Sequence, residues 1–213
     1  MTVHIHKPYI DVCGPNDDVP SGALKLCVGS WAPVMNAGEW RRLWLLSPLC
    51  ALDSGVHVPG LDGVVSNTVE NAWQFLKIWP DEGGWKEEEA MEAFRSRCAI
   101  RYPRGKGKQP IGFHWGKDDS ILDKLAGRKR IYVPAYSEML ASPEQQEQVL
   151  RLREAARVRH LCIWDPDSYN VTRCGMKDIA EAVNYLPRPF AHAFVVALAV
   201  EGRLDVLARE WKK

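Results

Sequence analysis

The sequence predicts an α+β domain, predominantly helical with a few short strands. Three observations carry that expectation. Several segments of eight or more residues show helical patterning between cap and stop signals. The apolar runs that read as strands are brief. Gly and Pro punctuate the chain without any internal repeat or low-complexity linker.

Taken in order, Val3 to Ile5 reads as a short strand and Cys13 to Asp18 as a turn. Leu24 to Val28 alternates and reads as a strand. Arg42 to Leu46 is a short apolar run that stops at Ser47-Pro48, and residues 50–66, with Gly55, Pro59, Gly60 and Gly63, form a loop. A helix is expected from Thr68 to Trp79, capped by Asn67 or Thr68 and stopped by Pro80. A second runs from Lys86 to Cys98, with Glu87, Glu88 and Glu89 at the positive end of its dipole. Residues 101–112 are basic and flexible. A short helix covers Asp119 to Leu125, and Arg130 to Val133 reads as a strand before Pro134. Ser142-Pro143 opens a helix that reaches Arg157. His160 to Trp164 is a buried strand, and Gly175 to Asn184 is amphipathic. Phe190 to Val200, apolar nearly all round, is a core helix, and Leu204 to Trp211 is a last one.

The 213 residues suffice for one domain with a sizeable core. The expected organisation is a single domain, residues 1–45 forming a β and loop segment that packs on a 46–213 core. A net charge of +1 gives no global case for nucleic acid, so any anion site must come from a local cluster. No apolar run approaches the length of a membrane span, and the N-terminus lacks a signal-peptide core. The six cysteines form no C-x-x-C pair, so neither a zinc site nor a disulfide scaffold is expected; reduced, buried thiols in a cytoplasmic protein are. Neither metal nor cofactor is called for. The nine tryptophans offer either core area or stacking surface for bases.

The most informative segment is Thr68 to Trp79. Glu70, Gln74 and Lys77 stand at i, i+4 and i+7 and share one face of the expected helix. Val69, Ala72, Trp73, Phe75, Leu76, Ile78 and Trp79 make the rest apolar. A helix this apolar is mostly buried, so its polar stripe must meet water, a cleft or partners. The stripe is either a carboxylate, an amide and an amine aimed into a pocket, or a solvated face with Glu70 closing a capping box on Asn67.

The string Thr68-Val69-Glu70-x-Ala72-x-Gln74-x-x-Lys77 resembles the signature helix of the NADAR family, whose pattern is T/S-V-E-H-x-x-Q-x-x-K after an L-S-N-F-type segment. Asn71 stands where the family has His. Ser47 falls where the earlier segment would lie, with Pro48 in place of its Asn. The resemblance implies a NADAR-like α+β fold and cleavage of N-glycosidic bonds in ADP-ribosyl or nucleotide-like substrates. Further on, Arg130 to Tyr136 and Ala191-His192-Ala193 are similar to an uncharacterised bacterial and phage family.

Such chemistry builds positive charge at the anomeric carbon, which a carboxylate stabilises. Glu70 suits that role. A desolvated lysine, here Lys77, can attack the sugar carbon and form a Schiff base. Gln74 can hold a hydroxyl or a base edge. The expected substrate-binding residues are Ser47, Asn71, Trp73, Arg97, Arg101, Arg104, Trp115 and Asp165. The arginines sit in a basic stretch with Gly105 and Gly107, where backbone can approach a phosphate, although P-loop spacing is absent. Trp115 can stack on a base. Asp165 follows a strand, a common place for a site, though Asp-Pro is also turn chemistry. His192 reads as a core histidine. The expected partner is a nucleotide-like or nucleic-acid substrate. The alternatives are a non-catalytic nucleotide or nucleic-acid binder using residues 95–108 and the tryptophans, and a small interaction protein in which both features are ordinary surface.

Overall fold

The computed structural model describes residues 9–116 and 120–211. The strand expected at Val3 to Ile5 lies outside the described residues, as does Asp119. In chain order the elements are β1 (Ile10–Val12), β2 (Leu24–Cys27), α1 (Ala32–Met35), β3 (Val56–His57), β4 (Val65–Ser66), α2 (Val69–Phe75), β5 (Lys77–Ile78) and α3 (Glu87–Arg95). There follow β6 (Gly112–Trp115), β7 (Ser120–Leu122), α4 (Lys124–Gly127), α5 (Val133–Leu140), α6 (Pro143–Val158), β8 (Leu161–Trp164), α7 (His192–Val200) and α8 (Leu204–Trp211). Short 3-10 segments lie at Gly38–Leu46, Thr172–Cys174 and Ile179–Asn184, and a π turn at Arg128–Tyr132 joins α4 to α5. The fold is α+β, with more helix than strand and small sheets. The chain divides into two compact units. Residues 1–47 join 140–207 in the first, and 48–139 join 208–213 in the second.

The first unit is built on a parallel sheet of order β1-β8-β2. Its register sets Ile10 beside Leu161 beside Leu24, and Val12 beside Ile163 beside Leu26, so two apolar rows share one face. The other face carries Asp11, Cys162 and Lys25 in one row. α7 lies against β1 and β8 and is buried along almost its whole length. Each fully buried side chain such as Phe194 or Leu198 contributes about 1.5–3 kcal/mol.

The second unit holds the antiparallel pair β3-β4 and the antiparallel meander β5-β6-β7. Phe75, Leu76, Phe94, Phe113 and Ile131 form its core. Thr68, not Asn67, caps α2: its side chain accepts from the Asn71 backbone N–H at 3.0 Å.

Three expectations are corrected here. The helix expected to run to Trp79 ends at Phe75, because β6 competes for the chain. The His114 N–H donates to the Leu76 carbonyl at 2.7 Å, and Lys77 and Ile78 pair with Phe113 and Gly112. Gly112 has no side chain for a reason: a Cβ there would meet Ile121 and lie 2.8 Å from the Leu122 carbonyl oxygen. The short helix expected from Asp119 to Leu125 is strand β7 followed by α4, which Asp123 caps through the Ala126 N–H. The strand expected at Arg130 to Val133 is helical. Ile131, Ala135 and Met139 are buried at four-residue spacing. The π turn ends two residues before Pro134, loosening the ladder near the point where proline cannot donate.

Candidate functional site

Glu70 and Gln74 project from α2, and Lys77 from β5 just beyond it. The three side chains form a hydrogen-bonded chain. Gln74 Nε2 donates to Glu70 Oε1 at 2.8 Å, and Lys77 Nζ donates to Gln74 Oε1 at 2.6 Å. The amide thus has its donor turned to the carboxylate and its acceptor turned to the amine. Glu70 and Gln74 are both buried. Lys77 Nζ also lies 5.3 Å from the Trp73 ring and 5.9 Å from the Trp79 ring. Burial pushes the Lys77 amine down to about 8; the Glu70 carboxylate opposes the fall and Lys124 adds to it.

Gln74, Lys77, Trp79, Glu82, Lys86, Glu89 and Arg104 line a narrow cleft of about 10 Å³, room for a single water. Trp79, Glu82 and Arg104 also border a neighbouring hollow of about 240 Å³, to which Lys108 and Gln109 contribute. The amine therefore ends at a cleft, with the amide and the carboxylate in line behind it. Of the other lining residues, Glu82, Lys86 and Glu89 come to this cleft from sequence features that point elsewhere. Glu89, for example, reads as a dipole partner in the first turn of α3. Trp79 is the exception, since its spacing from Lys77 within an apolar segment is a usable signal.

Of the three arginines expected to meet phosphate, Arg104 alone borders the cleft. Its Nε bonds Glu82 and its two terminal nitrogens bond Glu89, one of them at 2.7 Å. These carboxylates hold the Arg104 guanidinium firmly protonated, and Arg104 holds Glu89 below the usual carboxylate range. Its charge is therefore largely neutralised where it stands. Arg97 pairs with Asp53 at 2.8 Å on the surface, and the Arg101 guanidinium lies 5.4 Å from the ring of Tyr102.

Other expected contacts have structural jobs. Asn71, fully buried, is a clamp. Its Nδ2 donates to the carbonyls of Ala93 at 2.9 Å and Cys98 at 3.1 Å, and its Oδ1 accepts from the Ile100 N–H at 2.9 Å. It ties the end of α3 to α2, which no local spacing reveals. Trp73 stacks on Phe113 with centroids 4.3 Å apart and presents its ring to Lys77. Trp115 packs on Gly60 and takes the Arg130 guanidinium at 4.3 Å from its ring, so its faces are occupied by protein. In the first unit, Ser47 is buried at the end of the 3-10 segment Gly38–Leu46, its N–H bonded to the Trp44 carbonyl at 2.9 Å.

Asp165, also in the first unit, is a helix cap and not an open ligand. Its Oδ2 accepts from the Ala193 N–H at 2.8 Å and lies 3.1 Å from His192 Nδ1, while its Oδ1 accepts from the Asp167 N–H at 2.7 Å. His192 Nε2 lies 2.5 Å from the Val28 carbonyl oxygen, so His192 links β2, β8 and α7 as a core histidine. Among the described residues no group of three or more His, Cys, Asp or Glu side chains is placed to hold a metal ion. Among them, too, no helix is long and apolar enough to cross a membrane.

Residues 35–196 match the family described as "Family of unknown function (DUF6939)". The chain belongs to that family. The matched span of this DUF6939 protein includes the whole Lys77 cleft, β8 and the start of α7, and leaves β1 and β2 outside. No curated protein and no solved structure matches the chain.

Proposed function

We propose that the Lys77 cleft is the active centre of an N-glycosidase-type enzyme acting on a nucleotide, an ADP-ribosylated base or a modified base in nucleic acid. The observation that carries this is the Glu70–Gln74–Lys77 chain, with its amine lowered to about 8 between two indoles at a cleft. The likeness of residues 68–77 to the NADAR signature helix supports it. An amine of that kind is deprotonated in a useful fraction near neutral pH, the form that attacks carbon.

The Lys77 nitrogen forms a bond to the anomeric carbon as the C–N glycosidic bond breaks, and the base leaves with the bonding pair. Opening of the sugar ring then gives a Schiff base, which water hydrolyses to free sugar and amine. Glu70, two hydrogen bonds from the amine through Gln74, stabilises the positive charge that develops there, and Gln74 fixes the direction in which the lone pair points. Lys86 and Lys108 replace Arg97 and Arg101 as the cations bordering the cleft and its neighbouring hollow.

The test is release of free base from a panel of nucleotides, ADP-ribosylated nucleosides and base-modified oligonucleotides, with borohydride added to trap the Schiff base. The wild type is expected to release base from at least one class and to gain a borohydride-fixed adduct on Lys77. Glu70→Gln is expected to slow release by about 10²-fold. Full activity in Lys77→Ala would remove the amine from the mechanism; no base release by the wild type, with nucleic-acid affinity that falls steeply with salt and ignores Glu70→Gln, would replace the enzyme with a binding protein.

A further inference from the structure

The face of the β1-β8-β2 sheet that carries Asp11 differs chemically from the apolar face. Asp11, Cys162 and Lys25 stand side by side across the three strands, and Trp164 pairs with Cys27 in the next row. Cys13, immediately after β1, is buried in one cluster with Cys27, Cys162 and Trp164. His160, two residues before Cys162, places Nε2 2.8 Å from Asp11 Oδ2 and 3.8 Å from Cys162 Sγ. Lys25 Nζ donates to the carbonyls of Pro15 at 2.8 Å and Asp17 at 2.6 Å, pinning the β1–β2 connection. Val19 and Ala23 of that connection pack on the thiols. The sulfurs are thus buried beneath a single loop, beside an imidazole and an ammonium group.

The three thiols are not equivalent. Cys13 and Cys162 share one buried cluster, with Cys13 Sγ 3.8 Å from the Ile163 carbonyl oxygen. The neighbouring Cys13 holds the Cys162 thiol below its ordinary value, with Lys25 acting the same way and burial and Asp11 opposing. The neighbouring Cys162, then burial, pushes Cys13 up. Cys27 is pushed up to about 12, first by burial and then by Asp165, which keeps it a thiol. A thiolate is the reactive form; His160 Nε2 at 3.8 Å and Lys25 in the same row mark Cys162 as the attacking sulfur, and Cys13 lies in the same cluster.

We propose that Cys162 and Cys13 form a peroxide-reactive dithiol, Cys162 attacking and Cys13 resolving. The Cys162 thiolate attacks one oxygen of hydrogen peroxide and the O–O bond breaks. Hydroxide leaves and takes up a proton as water, and the sulfur is oxidised to a sulfenic acid. The Cys13 sulfur then attacks the Cys162 sulfur, and the S–O bond breaks. The departing hydroxide takes the Cys13 proton as a second water. The peroxide is reduced to two waters, and two thiols are oxidised to one disulfide.

The experiment treats the full chain with hydrogen peroxide, blocks free thiols, and maps non-reduced peptides by mass spectrometry. Two of the six thiols are expected to disappear, with a Cys13–Cys162 link and a mass loss of two hydrogens. Cys13→Ser is expected to stop at the sulfenic acid, giving a dimedone adduct on Cys162. Cys162→Ser is expected to leave Cys13 reduced. Survival of all six thiols, a link through another pair, or oxidation of the exposed Cys98 ahead of Cys162 would each overturn the proposal. The wild-type map decides alone if a variant does not fold.

Discussion

Glu70 in the second unit and Asp165 in the first are both buried carboxylates, 7% and 1% exposed. They end in different company. Asp165 accepts from two backbone N–H groups and faces an imidazole that is itself bound to a backbone carbonyl. Glu70 accepts from a side-chain amide, and that amide accepts in turn from an amine at a cleft. The first arrangement is anchored to the main chain and holds three elements together. The second runs through side chains to an amine at a narrow cleft. Burial of a carboxylate alone does not mark a site; the direction in which its hydrogen bonds lead does.

The largest effect expected from breaking this contrast is on the anchor. Asp165→Ala removes the acceptor of the Ala193 N–H at the α7 N-terminus and the carboxylate facing His192 Nδ1 and is expected to cost about 3–5 kcal/mol in urea unfolding. Its residual activity should follow the folded fraction. Lys77→Ala is expected to do the reverse, lowering base release on the order of 10³-fold, which is about 4 kcal/mol of barrier, while lost packing offsets the relief of the buried charge and leaves unfolding little changed. The wild-type rate should rise with pH and level off above about 8, as the Lys77 amine loses its proton.

Lys77→Met sharpens the comparison further. A buried lysine whose value falls from 10.5 to about 8 is destabilising while charged. Between those values the unfolded chain holds the proton and the folded chain has lost it, so wild-type stability rises with pH across that window. Below it the full penalty stands. Replacing the amine with a thioether is therefore expected to stabilise the protein at pH 7 by about 1–3 kcal/mol. The pH-dependent rise between 8 and 10.5 should disappear with it, as seen in unfolding curves at several pH values. The smallest effect is expected from Arg104→Ala. It removes a half-buried ion pair with Glu82 and Glu89 and should cost about 1 kcal/mol in melting experiments.

Much of the fold is legible in the sequence where local signals agree. The Leu204–Trp211 helix, the Ser142-Pro143 start of α6 and the apolar α7 follow from spacing and caps. Ile131-Tyr132-Val133 is not legible in this way. Its β-branched and aromatic composition suggests a strand, but the burial of Ile131, Ala135 and Met139 rewards a helix. The strand at Gly112–Trp115 is hidden because its pairing depends on Lys77-Ile78 and Ser120–Leu122, neither of which announces itself locally.

The site divides along the same line. Glu70, Gln74 and Lys77 show as a stripe because their spacing is local. The fates of Arg97, Arg104 and Asn71 depend on Asp53, Glu82, Glu89 and the carbonyls of Ala93 and Cys98, all distant in sequence from the residues they bind.

The joint at Leu76 has a consequence for what sequence changes this protein can tolerate. Two of the three side chains in the polar chain ride on a helix and the third on a strand, so their alignment depends on the chain changing periodicity at one residue. Inserting a single residue there shifts β5 by one position and turns the Lys77 amine to the opposite side of the β5-β6-β7 sheet. Every side chain would still be present and the composition nearly unchanged. The interval between Gln74 and Lys77 is in this sense a fixed length, and the segment should withstand substitution of its apolar residues far better than any change in their number.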